Sequence, residues 1–362
     1  MDARERHLAV LHGEEPDRTN ITAAAGLRLP PYGGWLRRLV ERGMCETHIV
    51  PVHKPFFLFT RFANPNLVDT TYHQTYFNED GLNKIRHTFE TPVGTLYSTV
   101  ARNPFDNVAG ATPETHFVKG PDDWHIINYI MEGMMNIMKP NYNEILLDQE
   151  DLGGKGFTIG VVERTPFQKA WIELADIGRT VMDFKRRPDE FLRYIELQKQ
   201  YHLKAAEIAA GAPTPHILLI DNITNIISPK LYREYSMPIY KLYADAIKGG
   251  DNKLAVHLDG LIKHIAHDIE DSAFDIVDSF TVPPTGNVSI SEAKEQMPSK
   301  QLFINLPPHL AQASVDELRK AYAEIIDEWG SKTLTIEHVE DLPVGAEEKH
   351  LAAAMDVCGY PD

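Results

Sequence analysis

The sequence predicts an α/β fold, a (β/α)8 barrel with an elaborated N-terminal insertion or lid. Three observations predict it. From Tyr142 onward, short apolar segments alternate with amphipathic helical stretches, the rhythm of a parallel sheet wrapped in helices. Eight strand candidates can be counted, which suits a closed barrel better than an open sheet. Polar residues able to do chemistry stand just past several of those candidates, where barrel enzymes build their sites. A chain of 362 residues is long enough for one such domain.

Residues 1–15 read as a short helix ending near Gly13, and Asp17–Ala25 as the first strand. Residues 26–125 are less regular, punctuated by prolines and aromatics, and read as the insertion. Within it, the alternation around Thr95–Val100 predicts a hairpin. Gly120-Pro121-Asp122 is a start signal for a helix reaching Met138. The remaining strand candidates are Glu144–Leu147, Phe157–Val162, His216–Ile220, Lys253–Val256, Ile276–Ser279, Gln301–Ile304 and Thr333–Ile336. Amphipathic stretches between them supply the outer helices.

Composition narrows the function classes. The formal charge of −16 argues against general affinity for nucleic acid or an anionic membrane. No run approaches ~18 consecutive apolar residues, so no membrane span is expected. The charged start Met1-Asp-Ala-Arg-Glu-Arg-His7 is not a secretory signal. Cys45 and Cys358 are far apart and lack metal spacing, which fits free thiols in a reducing cytoplasm.

The most informative segment is Lys253-Leu-Ala-Val-His-Leu-Asp-Gly260. His257 and Asp259 follow a short strand two residues apart, so in extended chain they point to the same side. The competing reading is a capping aspartate and a hydrogen-bonded histidine at an ordinary strand-to-helix turn. Asp221 and Asn222, Pro283–Asn287, Asn305, and Glu337, His338, Glu340 and Asp341 stand after other strands. His257, Asp221, Asp259 and Glu340 form a nitrogen and oxygen set suited to Zn²⁺ or another divalent metal. The same carboxylates could instead act as acid, base or substrate anchor. Asn222, Asn305, Tyr72 and Tyr76 are candidates for holding substrate, with Trp35, Phe56 and Phe57 as further aromatic lining. For any one aromatic, plain packing is the simpler reading.

In order along the chain, several segments resemble the uroporphyrinogen decarboxylase superfamily, which includes cobalamin-dependent methyltransferases. They are Asp17-Arg18, Thr91-Pro-Val-Gly-Thr-Leu96, Ser228–Pro238, His257-Leu-Asp-Gly260, Phe274–Asp278, Gly286–Ala293 and Leu342–Leu351. The resemblance implies a (β/α)8 barrel. Its methyltransferase branch implies a zinc site, a small methylated substrate such as an aryl methyl ether, and cobalamin carried by a separate corrinoid protein. In the branch acting on thiols, Asp259 and Glu340 stand where cysteine ligands are found. In the O-demethylase branch, Asp221 and Ser236 fall at the spacings of two glutamate ligands preceding His257, so one ligand is replaced by serine. Two alternatives stay open. One is a metal-independent decarboxylase of a small aromatic or pyrrolic acid, anchored by Arg18, Arg37, Arg38 or Arg61. The other is a non-catalytic barrel subunit. A homodimer is compatible with each.

Overall fold

The computed structural model describes residues 1–24, 34–56, 67–102, 111–337, 342 and 345–361. Helix α1 (Ala3–Leu11) leads into barrel strands β1 (Asn20–Ala24) and, after α2 (Gly34–Glu41), β2 (Cys45–Pro51). A short strand, β3 (His53–Lys54), comes next. An antiparallel sheet follows, of β4 (Thr71–Glu79), β5 (Leu82–Thr91), β6 (Gly94–Arg102) and β7 (Ala111–Thr115). After α3 (Trp124–Ile137), β8 (Lys139–Pro140) pairs with β3, and α4 (Tyr142–Leu152) returns the chain to the barrel. The other barrel strands are β9 (Gly156–Val162), β10 (His216–Leu219), β11 (Lys253–His257), β12 (Ile276–Thr281), β13 (Gln301–Asn305) and β14 (Leu334–Glu337). All eight barrel pairings are parallel, and β14 closes on β1 through Asn20↔Thr335 and Ile21↔Ile336.

The predicted barrel is present, with one exchange of strands. Glu144–Leu147 lies inside α4 rather than in a strand. Its burial follows a helix: Ile145, Asp148 and Leu152 are buried, whereas Leu146 and Leu147 are exposed. The second barrel strand is Cys45–Pro51, inside the region read as insertion, so that region is not wholly peripheral. Glu46 and His48 disguise it. They point out of the barrel toward α4, where Asp148 Oδ1 lies 2.9 Å from His48 Nδ1. The hairpin expected around Thr95–Val100 exists as β5 and β6.

Strand alternation sorts side chains into two cores. Leu254, Val256, Val277, Leu302, Ile304, Leu334 and Ile336 pack outward against the helices. Cys45, Phe157, Ile159, Leu218, Ala255, Ile276 and Phe303 fill the lumen. Below them α1 closes the barrel with Ala3, Val10 and Leu11. A reciprocal capping box fixes the start of α1: Glu5 N donates to Asp2, and Asp2 N donates to Glu5.

Candidate active site at the barrel mouth

The inward rows become more polar toward the top of the barrel. Ala255 is followed two residues on by His257, Ile276 by Asp278, Phe303 by Asn305, and Thr335 by Glu337. Period-two geometry therefore carries an imidazole, two carboxylates and an amide up the lumen wall.

His257 is the centre of this layer. Its side chain is 8% exposed, with Nδ1 2.8 Å from Asp278 Oδ2 and Nε2 3.4 Å from Asp259 Oδ2. Burial opposes its charge, but Asp259 and Asp278 outweigh burial and raise its pKa well above the ordinary 6.5. Burial alone would raise the Asp259 pKa as well. The His257 charge and hydrogen bonds from His257 and Asn222 instead hold that carboxyl at about 2. The pair therefore favours its charged form, imidazolium beside carboxylate. The turn after Asp259 requires glycine, because a Cβ at Gly260 would meet the Ile223 carbonyl oxygen at 2.4 Å.

A hydrogen-bonded chain runs from Asp259 away from the imidazole. Asn222 Nδ2 donates to Asp259 Oδ2 at 3.0 Å. Arg164 donates to Asn222 Oδ1 and to the Ile220 carbonyl, and its Nε lies 2.9 Å from Glu173. Glu173 belongs to a π-helical turn, Ala170–Leu174, which continues α5 (Pro166–Lys169). Behind it, fully buried Lys169 bridges Glu163 at 2.6 Å and Glu173 at 3.0 Å. Helix α6 (Ile177–Arg186) and the long α7 (Asp189–Ala210) follow, and α7 adds Tyr201, whose hydroxyl donates to Glu163.

On the other side of His257, strand β12 bulges between Val277 and Phe280, with Ser279 at φ 56°. The bulge turns Ser279 N toward Glu337 Oε2 at 3.1 Å. Asn305 Oδ1 accepts from the Thr281 hydroxyl at 2.8 Å.

The structure joins His257 with Asp259, and Asp259 with Asn222, as the strand-end argument expected. It gives Asp221 a different place. Asp221 is fully buried and accepts from Thr165 N at 2.6 Å, from the Thr165 hydroxyl at 3.0 Å and from Tyr240 at 2.5 Å. Ser236 lies 3.2 Å from that same Thr165 hydroxyl. Asp221 therefore anchors the strand-end turn through donors that already occupy its oxygens. Glu340 lies outside the described residues, as do His338, Asp341, Phe57 and Arg61. Tyr72 and Tyr76 lie on β4 of the outer sheet rather than at a barrel strand end. Tyr72 packs on Phe89, and Tyr76 is 68% exposed.

The donor set bears directly on the expected zinc. Asp278 takes the Nδ1 of His257, Asp259 lies beside its Nε2, and Asp221 is saturated by protein donors. Among the described residues no three His, Cys, Asp or Glu side chains are grouped to hold a metal. Of the four candidate ligands, His257 and Asp259 stand together, Asp221 is held apart by its own donors and Glu340 lies outside the described residues, so the described donor set is two groups, with Asp278 orienting the imidazole as it would for either an acid or a ligand.

The sequence reading missed Asp278, Glu163 and Arg164. Asp278 was hidden inside a strand candidate, although an acid in an apolar strand next to a histidine-bearing strand is a usable signal. Glu163 and Arg164 follow Phe157–Val162 directly and obey the rule that singled out Asp221.

A closed parallel barrel with a charged mouth is the architecture of a strand-end enzyme site. Residues 155–359, more than half of the chain, match the family described as uroporphyrinogen decarboxylase (URO-D), and the chain belongs to that family. A methyltransferase from Methanosarcina mazei has a similar structure, with TM-score 0.58 and 14% identity over 98% of each chain. A B12-independent methionine synthase from Shewanella sp. W3-18-1 gives TM-score 0.44 and 11% identity over 94% of this chain and 97% of that one. No curated protein sequence matches. Among the described residues, no helix is long and apolar enough to cross a membrane.

Proposed function

We propose that this protein is a methyltransferase that moves a methyl group from a small methylated substrate, an aryl methyl ether, to the cobalt of a separate corrinoid protein. The observation that carries the reading is the placement of His257 between Asp259 and Asp278 at the barrel mouth, two carboxylates that favour its protonated form. In methyl–oxygen cleavage the bonding electron pair stays with oxygen, and the methyl passes to the partner's cobalt as nucleophile. The leaving oxygen needs a proton or a positive charge beside it. His257 supplies that proton from Nε2 and regains one from water. Asp278 fixes the ring through Nδ1, and the Arg164–Asn222 chain fixes Asp259. Asn305 and Asn222 offer amides to the substrate. Family membership and the fold shared with the Methanosarcina protein support the class of reaction.

Decarboxylation is the second reading, favoured by the description of the family. It needs an unengaged cation, and three candidates are engaged elsewhere. Arg18 donates to the Gly359 carbonyl at 2.7 Å, Arg37 pairs with Glu41, and Arg38 pairs with Glu348. The deciding assay mixes the protein with a reduced corrinoid protein and a methoxyarene, following the cobalt absorbance. Methyl–cobalt formation that His257→Ala abolishes, with folding unchanged, is the expected result. Undiminished turnover by that variant, or carbon dioxide release from an aromatic acid in place of methyl transfer, overturns the proposal.

A further inference from the structure

The two edges of the outer sheet differ in character. Strand β7 is five residues long with Pro113 at its centre, so it lacks an amide donor where another strand would pair. Strand β4 runs nine residues, Thr71-Tyr-His-Gln-Thr-Tyr-Phe-Asn-Glu79, without proline, lysine or arginine. Its only full charge, Glu79, sits at the end and is held by Lys84 at 2.9 Å. Pairing with β5 is continuous from Thr71↔Glu90 to Glu79↔Leu82, without a bulge. Among the described residues no strand pairs with the other side of β4. Charges, prolines and bulges are the usual protection of an exposed edge, and β4 has none of them along its middle.

We propose that β4 is the surface through which two copies of this chain associate, edge to edge and antiparallel, about a two-fold axis at Thr75. Such pairing sets Gln74 opposite Tyr76, His73 opposite Phe77, Tyr72 opposite Asn78 and Thr71 opposite Glu79. No like charges meet, and the axis brings Thr75 against its own copy, as a self-complementary interface requires. The strip is locally near neutral, so in a chain of net charge −16 the pairing places no acid against an acid. The side chains are also ordered in advance. Tyr76 donates to Gln74 Oε1 at 2.7 Å, Gln74 Nε2 donates to the Tyr72 hydroxyl at 2.8 Å, and that oxygen lies 2.6 Å from His87 Nδ1. Arg86 covers the Phe77 ring at 5.5 Å. Little side-chain entropy is left to lose on pairing.

The test is sedimentation of the full chain at micromolar concentration, with two variants at the axis. Thr75→Glu places a carboxylate opposite Arg86 of β5 within one copy, which favours the monomer fold. In the dimer it places two carboxylates face to face. The wild type sediments as a dimer, and Thr75→Glu weakens association at least about tenfold while its circular dichroism spectrum stays that of the wild type. Thr75→Cys gives a disulfide-linked dimer on oxidation that the wild type does not give. A monomeric wild type overturns the proposal. So does a dimer that Thr75→Glu leaves intact or that Thr75→Cys fails to cross-link.

Discussion

His257 Nδ1 lies 2.8 Å from Asp278 Oδ2, and the two residues are direct partners in the register of β11 and β12. The contact leaves Nε2 as the ring nitrogen beside Asp259, so a single proton-bearing position is aimed at the mouth. It also fixes the charge state on which the proposed chemistry rests.

The first prediction concerns that charge. Because the His257 pKa is raised in the folded protein, its stabilising contribution is complete below about 6.5, the unfolded value. It is lost as pH rises through the folded value. Nitrogen-15 NMR should show this imidazole still protonated at pH 7. Asp278→Asn removes one counter-charge and lowers the pKa, so the alkaline limb of the methyl-transfer profile moves to lower pH. A ring that titrates at or below 6.5 in the wild type would sink the assignment of His257 as proton donor.

A second histidine gives a stability test away from the mouth. His48 Nδ1 lies 2.9 Å from Asp148, and Nε2 lies 3.2 Å from Glu46. Burial lowers its pKa, but the two acids overrule burial and raise it to about 9. Its contribution is present below about 6.5 and disappears as pH rises through about 9. Urea unfolding should show the wild type losing about 2 kcal/mol relative to His48→Gln between pH 6 and pH 10. Parallel pH curves for the two proteins would show that the ion triad contributes nothing.

The sequence disclosed most of the barrel because six of its strands are short apolar runs that end at polar residues. It misplaced one. In Glu144–Leu147 a leucine pair imitates a strand, whereas the burial of Ile145, Asp148 and Leu152 has a helical period visible only over a longer window. Cys45–Pro51 was obscured because two of its outward residues are ionisable, Glu46 meeting His48 and His48 meeting Asp148 of α4, the latter a long-range fact. The site was legible where one strand end carries two functional groups, as at His257 and Asp259. It was illegible where a contact depends on register between strands, as for Asp278. It was also hidden where an acid's partners come from another loop, as Thr165 does for Asp221.

Asn222 separates backbone strain from hydrogen bonding. It sits at φ 46°, where asparagine and glycine are tolerated better than other residues. Asn222→Ala loses the links to Arg164 and Asp259 and adds strain, whereas Asn222→Gly loses the links alone. The alanine variant should unfold about 1 kcal/mol more easily than the glycine variant. Both should lose methyl transfer to a similar degree, since both release Asp259. Equal stabilities would show that the turn relaxes without cost, and full activity would show that the Arg164–Asn222 chain does not position the site.

The last prediction addresses the buried ion cluster behind that chain. Lys169 is completely buried between Glu163 and Glu173, and its pKa stays raised because the two carboxylates offset its desolvation. Lys169→Met leaves both acids without their shared cation in a low-dielectric setting, which should cost about 3 to 5 kcal/mol. The exposed pair of Lys241 with Asp245 is the internal control. Lys241→Met should change stability by no more than about 0.5 kcal/mol, because solvent screens that pair. Neutralising the two acids with Glu163→Gln and Glu173→Gln in the Lys169→Met background should recover part of the loss, since the two uncompensated buried carboxylates are removed and only Arg164 gives up a partner. Activity should not recover with stability, because Arg164 keeps its link to Asn222 but loses the carboxylate of Glu173 that holds its other side. Recovery of both together would mean that the cluster acts on the fold alone.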